Sequence, residues 1–183
     1  DKKTKPDEVL FMEQGKPLAQ ALGEVDYAAS FFQWFGEESR RIHGRIMPHP
    51  EAAREFFIEH RPIGVAGLIT PWNFPLAILT GMTAAALATG NTVVMKPAEQ
   101  SAIVAALLME IFRDIGLPEG ALNYLPGVGE VAGKALVEHP DVALVAFTGS
   151  RKVGLAINAT AAEVSQGLTH VKRVIAEMGG KNA

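Results

Sequence analysis

The 183-residue sequence contains no cysteine. Disulfides, cysteine metal sites and a cysteine nucleophile are therefore excluded within these residues. Positive charge is not in surplus either. Lys and Arg number 17 against 20 Asp and Glu, a net charge of -3, and without a basic stripe no nucleic-acid partner is expected. No uninterrupted apolar run reaches the roughly 18 residues that would suggest a membrane span. The opening Asp1-Lys2-Lys3-Thr4-Lys5-Pro6 is charged and lacks the apolar core of an export signal, so a cytoplasmic location is expected. His43, His49, His60, His139 and His170 form no i,i+4 pair and no metal-ligand spacing. They read as surface or structural residues, and no metal is expected.

What is present suffices for a core. The chain is 48% hydrophobic and 20% charged, and its length suits one domain with a small appendage. It opens without Met and stops at Gly179-Gly180-Lys181-Asn182-Ala183, so a piece of a longer protein is expected. A helix is expected from about Lys16 to Arg45, on a stripe of Leu18, Leu22, Val25, Ala29, Phe32 and Phe35. Trp34 and the Phe31-Phe32 pair are assigned to that stripe, for core packing or a subunit contact. Pro48 and Pro50 interrupt the pattern, and Glu55 to Glu59 is a short strand candidate. From Gly64 the pattern turns regular. Strands are expected at Val65–Thr70, Thr92–Met95, Ala121–Leu125, Val142–Phe147 and Val171–Ala176. Helices are expected at Pro75–Ala88, Gln100–Ile115, Val128–Val137 and Arg151–Val164. This alternation predicts an α/β fold: a Rossmann-like five-stranded parallel sheet with helices on both faces.

Three of these strands end in compact polar signatures, where parallel sheets bind ligands. They are Pro71-Trp72-Asn73-Phe74-Pro75, Lys96-Pro97-Ala98-Glu99 and Thr148-Gly149-Ser150. In a doubly wound sheet of order 3-2-1-4-5 the loops after the first and fourth strands diverge and open a crevice. A dinucleotide lying there would meet Lys96 and Glu99 at a ribose and Ser150 at a phosphate, with Asn73, Lys96 and Ser150 converging on one groove. Each residue also has a plainer use: Lys96 as a snorkelling strand-end lysine, Glu99 as a first-turn carboxylate, Ser150 and Asn73 as helix N-caps. The glycines are weaker signals. Gly127, Gly129 and Gly133 are spaced one residue longer than a dinucleotide fingerprint, and a flexible turn fits them as well. Gly149 to Gly154 has the glycine spacing of a phosphate loop, but Leu155 stands where its Lys is required. Gly149 and Ser150 would still place free amides at a helix N-terminus.

Together the motifs Ile69-Thr70-Pro71-Trp72-Asn73-Phe74-Pro75, Gly90 to Glu99, Phe147-Thr148-Gly149-Ser150 and Glu177-Met178-Gly179-Gly180-Lys181 resemble the NAD(P)-dependent aldehyde dehydrogenase superfamily, from Glu13-Gln14-Gly15-Lys16-Pro17 onward. The resemblance implies that the Asn73 amide donates to the carbonyl oxygen of the aldehyde and that Glu177 is the general base for thioester hydrolysis. A solvated strand-end carboxylate is the plainer use of Glu177. It implies that Lys96 and Glu99 bind the adenosine ribose, and that Ser150, with Gly149, meets the pyrophosphate. Ile69, Thr70, Pro71, Trp72, Gly129 and Val153 would line the cofactor groove. Glu99 favours NAD over NADP, because a carboxylate suits ribose hydroxyls and repels a 2′-phosphate. The family reaction proceeds through a thiohemiacetal on a cysteine, which in the family lies beyond the Glu-Met-Gly-Gly-Lys segment. This chain, lacking that cysteine, is expected to be inactive alone.

The early stretch Glu13 to Ala19, with Tyr27 to Phe32, looks like succinate-semialdehyde dehydrogenases. Leu125 to Glu130 and Lys172 to Asn182 resemble 1-pyrroline-5-carboxylate (glutamate-semialdehyde) dehydrogenases, including the module of bifunctional proline-utilisation proteins. The latter is preferred because Glu177 to Asn182 adjoins the chemistry. The resemblance implies residues 1–61 as an N-terminal helix and oligomerisation-strand segment and 62–183 as the NAD-binding domain, with the catalytic domain outside this chain. It also implies a small-molecule aldehyde substrate and a homo-oligomer. The rival is a non-catalytic nucleotide-binding or interaction module.

Overall fold

The computed structural model describes residues 5–51, 53–164 and 167–180. Its helices and strands run α1 (Pro6–Gln14), α2 (Leu18–Glu38), β1 (Arg45–Pro48), β2 (Glu55–Ile58), β3 (Val65–Ile69), α3 (Ala77–Ala88), β4 (Thr92–Lys96), α4 (Ala102–Asp114), β5 (Leu122–Tyr124), α5 (Lys134–Glu138), β6 (Val142–Thr148), α6 (Arg151–Ala161) and β7 (Arg173–Glu177). A π-helical turn, Gly129–Gly133, leads directly into α5. Strands β3 to β7 form one parallel sheet in the order β5-β4-β3-β6-β7. Numbered along the chain, that is the expected 3-2-1-4-5. Both faces of the central strands are covered, so β3, β4 and β6 read as near-continuous apolar runs.

Strand alternation sorts the core into two layers. Ala66, Leu68, Val93, Met95 and Ala146 face a layer that includes Leu79, Val104, Leu108 and the N-terminal Val9, Leu10, Ala21 and Ala28. Val65, Ile69, Val94, Val145, Phe147 and Ala176 face Leu136, Val137, Ile157 and Ala161 of α5 and α6. Two glycines set the helix approach. A Cβ on Gly67 would come within 3.0 Å of Leu136, and one on Gly81 within 3.2 Å of the Phe31 ring. The first brings α5 onto β3; the second brings α2 onto α3.

The N-terminal third departs most from the sequence-based expectation. Helix α1 was not anticipated. Helix α2 ends at Glu38 rather than near Arg45, and β1 occupies Arg45–Pro48, pairing antiparallel with β2. The buried face of α2 is Ala21, Glu24 and Ala28, not the Leu18 and Leu22 stripe; those leucines are 51% and 49% exposed. Trp34 is also exposed, outside the core. Short side chains and a carboxylate fill the centre of the contact, and of the expected stripe Val25 packs partly against the core. Phe31 does pack, over Gly81, and Phe32 meets Phe112 edge-on at 5.4 Å. No helix of the described residues is long and apolar enough to cross a membrane.

Two N-terminal carboxylates complete helices that have no side-chain cap of their own. Glu24 Oε1 accepts from the amides of Leu76 (2.9 Å) and Ala77 (3.1 Å) at the start of α3. Its Oε2 is ion-paired with Lys16 Nζ. Glu13 accepts from Ile103 N (2.7 Å) and Val104 N (3.1 Å) at the start of α4. Each uses the orphan amides and the positive end of a helix. The two differ in burial, because the Glu24 side chain is fully buried. We expect Glu13→Ala to cost about 1 kcal/mol, as for a lost cap. Glu24→Ala should cost about 3–5 kcal/mol, because it strands a buried ammonium. Urea unfolding checks this; equal losses, or the reverse order, would contradict it.

Candidate active site

The sheet register aligns the strand ends that carry the polar signatures. Ile69 of β3 lies beside Lys96 of β4 and Phe147 of β6. Phe147 lies beside Ala176 of β7, and Thr148 beside Glu177. With about 4.8 Å between strands, this rim spans roughly 14 Å from Lys96 to Ala176. β3 feeds α3 on one face, and its neighbour β6 feeds α6 on the other. The rim between them is therefore the topological switch point, where open α/β sheets hold ligands.

Alternation assigns the candidates to the two faces. Lys96 has the parity of Val94 and its partner Ile69, so it falls on the α5–α6 face. Glu177 has the parity opposite to Ala176 and falls on the α3 face. Asn73 lies in the loop entering α3. The sequence candidates thus divide into an α5–α6 group and an α3 group that meet at the rim.

On the α5–α6 face a cavity of about 340 Å³ is lined by Ile69, Gly129, Val137, Val153, Ile157 and Thr160, with Glu130, Lys134 and Lys152 at its edge. It is predominantly apolar and lies at the lower end of ligand-pocket volumes, about 300–1,000 Å³. Nothing lies within 4 Å of a Cβ built on Gly129, so this glycine leaves its end of the cavity open. Three of the sequence candidates, Ile69, Gly129 and Val153, meet here. The lining residues Val137, Ala156, Ile157 and Thr160 were not anticipated. A signal existed: Val153, Ala156, Ile157 and Thr160 follow i, i+3, i+4, i+7 spacing along α6.

Asn73, Lys96 and Ser150 stand at the same rim and do not line this cavity. The Lys96 side chain is almost fully buried, with Nζ 3.4 Å from Glu99 Oε2. A backbone hydrogen bond at Glu99 itself, and then Lys96, hold the Glu99 carboxyl below its usual range; partial burial opposes them. Glu99 is exposed and ionised at neutral pH. Ser150 Oγ accepts from Val153 N at 3.3 Å and caps α6. Gly149 donates its N–H to the Glu177 carbonyl at 3.1 Å. A Cβ there would lie 2.6 Å from the Phe147 ring, so packing alone demands glycine. Thr70 is buried; its amide donates to the Lys96 carbonyl at 3.3 Å. Its hydroxyl has no partner among the described residues.

The loop after Thr70 projects from the rim. Pro71 is half-buried and Trp72 is 60% exposed. Asn73 is exposed, and its amide has no hydrogen-bond partner among the described residues. It does not cap α3, because the amides of Leu76 and Ala77 go to Glu24. The loop main chain is held from the N-terminal segment: Lys16 Nζ donates to the Asn73 carbonyl at 2.9 Å and lies 4.1 Å from the Phe74 ring centroid, and Gln14 Nε2 donates to the Trp72 carbonyl. Those contacts were not foreseen from the sequence. The exposed Glu177 carboxylate accepts from Gly179 N at 2.8 Å. Lys181, the end of the fourth motif, and Asn182 lie outside the described residues.

The aldehyde dehydrogenase family pattern matches residues 2–183. A 1-pyrroline-5-carboxylate dehydrogenase from Bacillus cereus (strain B4264) is 43% identical over 174 residues, 95% of this chain and 34% of that protein. The crystal structure of 1-pyrroline-5-carboxylate dehydrogenase from Thermus with bound NAD matches at TM-score 0.88 and 41% identity, over 96% of this chain and 34% of that one. Proline utilization A from Bdellovibrio bacteriovorus matches at TM-score 0.89 and 44% identity, over 96% of this chain and 18% of that one. The chain thus spans about a third of the length of the curated relatives it matches. An unbroken match from residue 2 to residue 183, with the same fold in its solved relatives, places this chain in the aldehyde dehydrogenase family.

Proposed function

We propose that this chain is the coenzyme-binding part of an NAD-dependent aldehyde dehydrogenase that oxidises glutamate semialdehyde, the open form of 1-pyrroline-5-carboxylate. The observation that carries the reading is the division of the rim. An apolar cavity on the α5–α6 face and, on the α3 side, the exposed Asn73 amide and Glu177 carboxylate meet at one switch point. The names of the relatives support this substrate over succinate semialdehyde. Residues 62–183 form the coenzyme domain in this reading, and residues 1–61 supply its bracing and an oligomer contact. The β1–β2 hairpin exposes Ile46, Met47, Phe56, Phe57 and Ile58. An uncovered apolar ribbon of this kind invites pairing with another copy.

The residues present fit the coenzyme. The cavity between Val153, Ile157 and Val137 is apolar and open at Gly129, as a flat aromatic base requires. Lys96 and ionised Glu99 stand at the neighbouring strand end, where a ribose would take both a donor and an acceptor. The first turn of α6 after Ser150 offers the positive end of a helix to a phosphate. Ile69, Thr70, Pro71 and Trp72 would form the floor of the groove as it crosses the rim. NAD, when bound, supplies the hydride acceptor. Asn73 would donate its amide to the oxygen of the reacting carbonyl, as charge develops there. Glu177 would take the proton of the attacking water. The cysteine nucleophile would come from residues outside this sequence.

Reduced-cofactor fluorescence tests the coenzyme assignment. Glu99→Ala should weaken NADH binding by about tenfold or more, the loss of a charge-assisted hydrogen bond, and should narrow the preference for NADH over NADPH. A folded sample that gives no NADH response, or a variant that binds as before, would contradict it. In the full-length enzyme, Asn73→Ala should lower kcat by about 10²–10³ with little change in NADH affinity. Undiminished turnover would remove Asn73 from the chemistry.

A further inference from the structure

We infer that Lys16, held by Glu24, is a positioning residue for the Asn73 amide, and that Gln14 assists it. The inference rests on Asn73 as the donor to the substrate carbonyl. The loop from Trp72 to Phe74 is exposed and bridges β3 and α3. An unsupported loop there would move about freely, whereas an oxyanion donor must stay within roughly half an ångström of its target. The support comes from the N-terminal segment, through main-chain atoms and one ring. Gln14 Nε2 binds the Trp72 carbonyl. Lys16 Nζ binds the Asn73 carbonyl at 2.9 Å and sits 4.1 Å from the Phe74 ring centroid. None of these contacts uses the Asn73 side chain, so the loop is clamped while the amide stays free.

The clamp is itself anchored. Lys16 pairs with Glu24, whose other carboxylate oxygen holds the first amides of α3. One side chain therefore ties the ammonium that grips the loop to the helix that the loop enters. Packing alone does not require this design. A buried ion pair is often no more stabilising than an apolar contact of the same size. What it adds is direction: the ammonium donates along fixed lines to a carboxylate and a carbonyl, and the carbonyl orientation sets the Asn73 backbone. A displacement of about 1 Å at such a donor can cost roughly a hundredfold in rate.

The test is a double-substitution cycle in the full-length enzyme, with folding followed by circular dichroism and coenzyme binding by NADH fluorescence. Lys16→Met should lower kcat by about 10- to 100-fold and leave NADH affinity within about twofold. In the Asn73→Ala background the same substitution should lower kcat by less than about twofold further, because the group it positions is gone. Unchanged turnover in Lys16→Met, or losses that multiply across the pair, would overturn the inference. If Lys16→Met does not fold, Gln14→Leu, which removes only the grip on Trp72, is read through the same cycle with the same criteria. A harmless Asn73→Ala would instead sink the role of Asn73, and the positioning role with it.

Discussion

A single buried carboxylate, Glu24, ties the N-terminal helices to the rim of the sheet. Desolvating it is expensive, and the cost is met locally by the Lys16 ammonium, two helix-end amides and the α3 dipole. α3 needs this acceptor, because it has no side-chain cap of its own and Pro75 has no N–H to give. α2 can deliver the carboxylate because Gly81 admits the Phe31 ring against α3. The site loop, its helix and the packing of α2 thus form one connected arrangement. Glu13 repeats the device at α4 in a more accessible setting.

The parallel sheet converts this local order into a divided site. Because β3 and β6 are neighbours whose helices go to opposite faces, residues at one rim can serve both sides of it. Strand parity then separates Lys96, beside the apolar cavity, from Glu177, on the α3 face. A ligand long enough to cross the rim would have one end in apolar surroundings and the other near exposed polar groups. That is the shape of problem a dinucleotide poses, and the family membership agrees with it.

Much of the sheet was legible from sequence. The β3, β4 and β6 runs are continuous and apolar because both faces are buried, and their ends carry the polar residues. The strand order followed from the alternation of strands and helices. The N-terminal third was not legible, for a physical reason. α2 buries Ala21, Glu24 and Ala28, while Leu18 and Leu22 face outward and Val25 and Phe31 pack only in part, so counting large apolar residues misses the centre of the buried face. α1 buries only Val9 and Leu10, too little to mark a helix. At the site, Asn73 could not be separated from an N-cap by local sequence, since the group that caps α3 lies 52 residues before Leu76. Ser150 does act as a cap, a local role that its position already allowed. The cavity-facing side of α6 was written in its spacing, but became recognisable only when α5 stood opposite.

The proposed coenzyme path crosses the rim between β3 and β6, with the apolar end of the dinucleotide between α5 and α6. Titrating the 15N-labelled protein with NADH while following its amide resonances tests this most directly. A dinucleotide on this path shifts Ile69, Gly129, Ser150 and Val153 and leaves Ile63 and Arg173, at the starts of the strands and far from this rim, unmoved. Shifts confined to the cavity lined by Ile63, Met82 and Arg173 would contradict it.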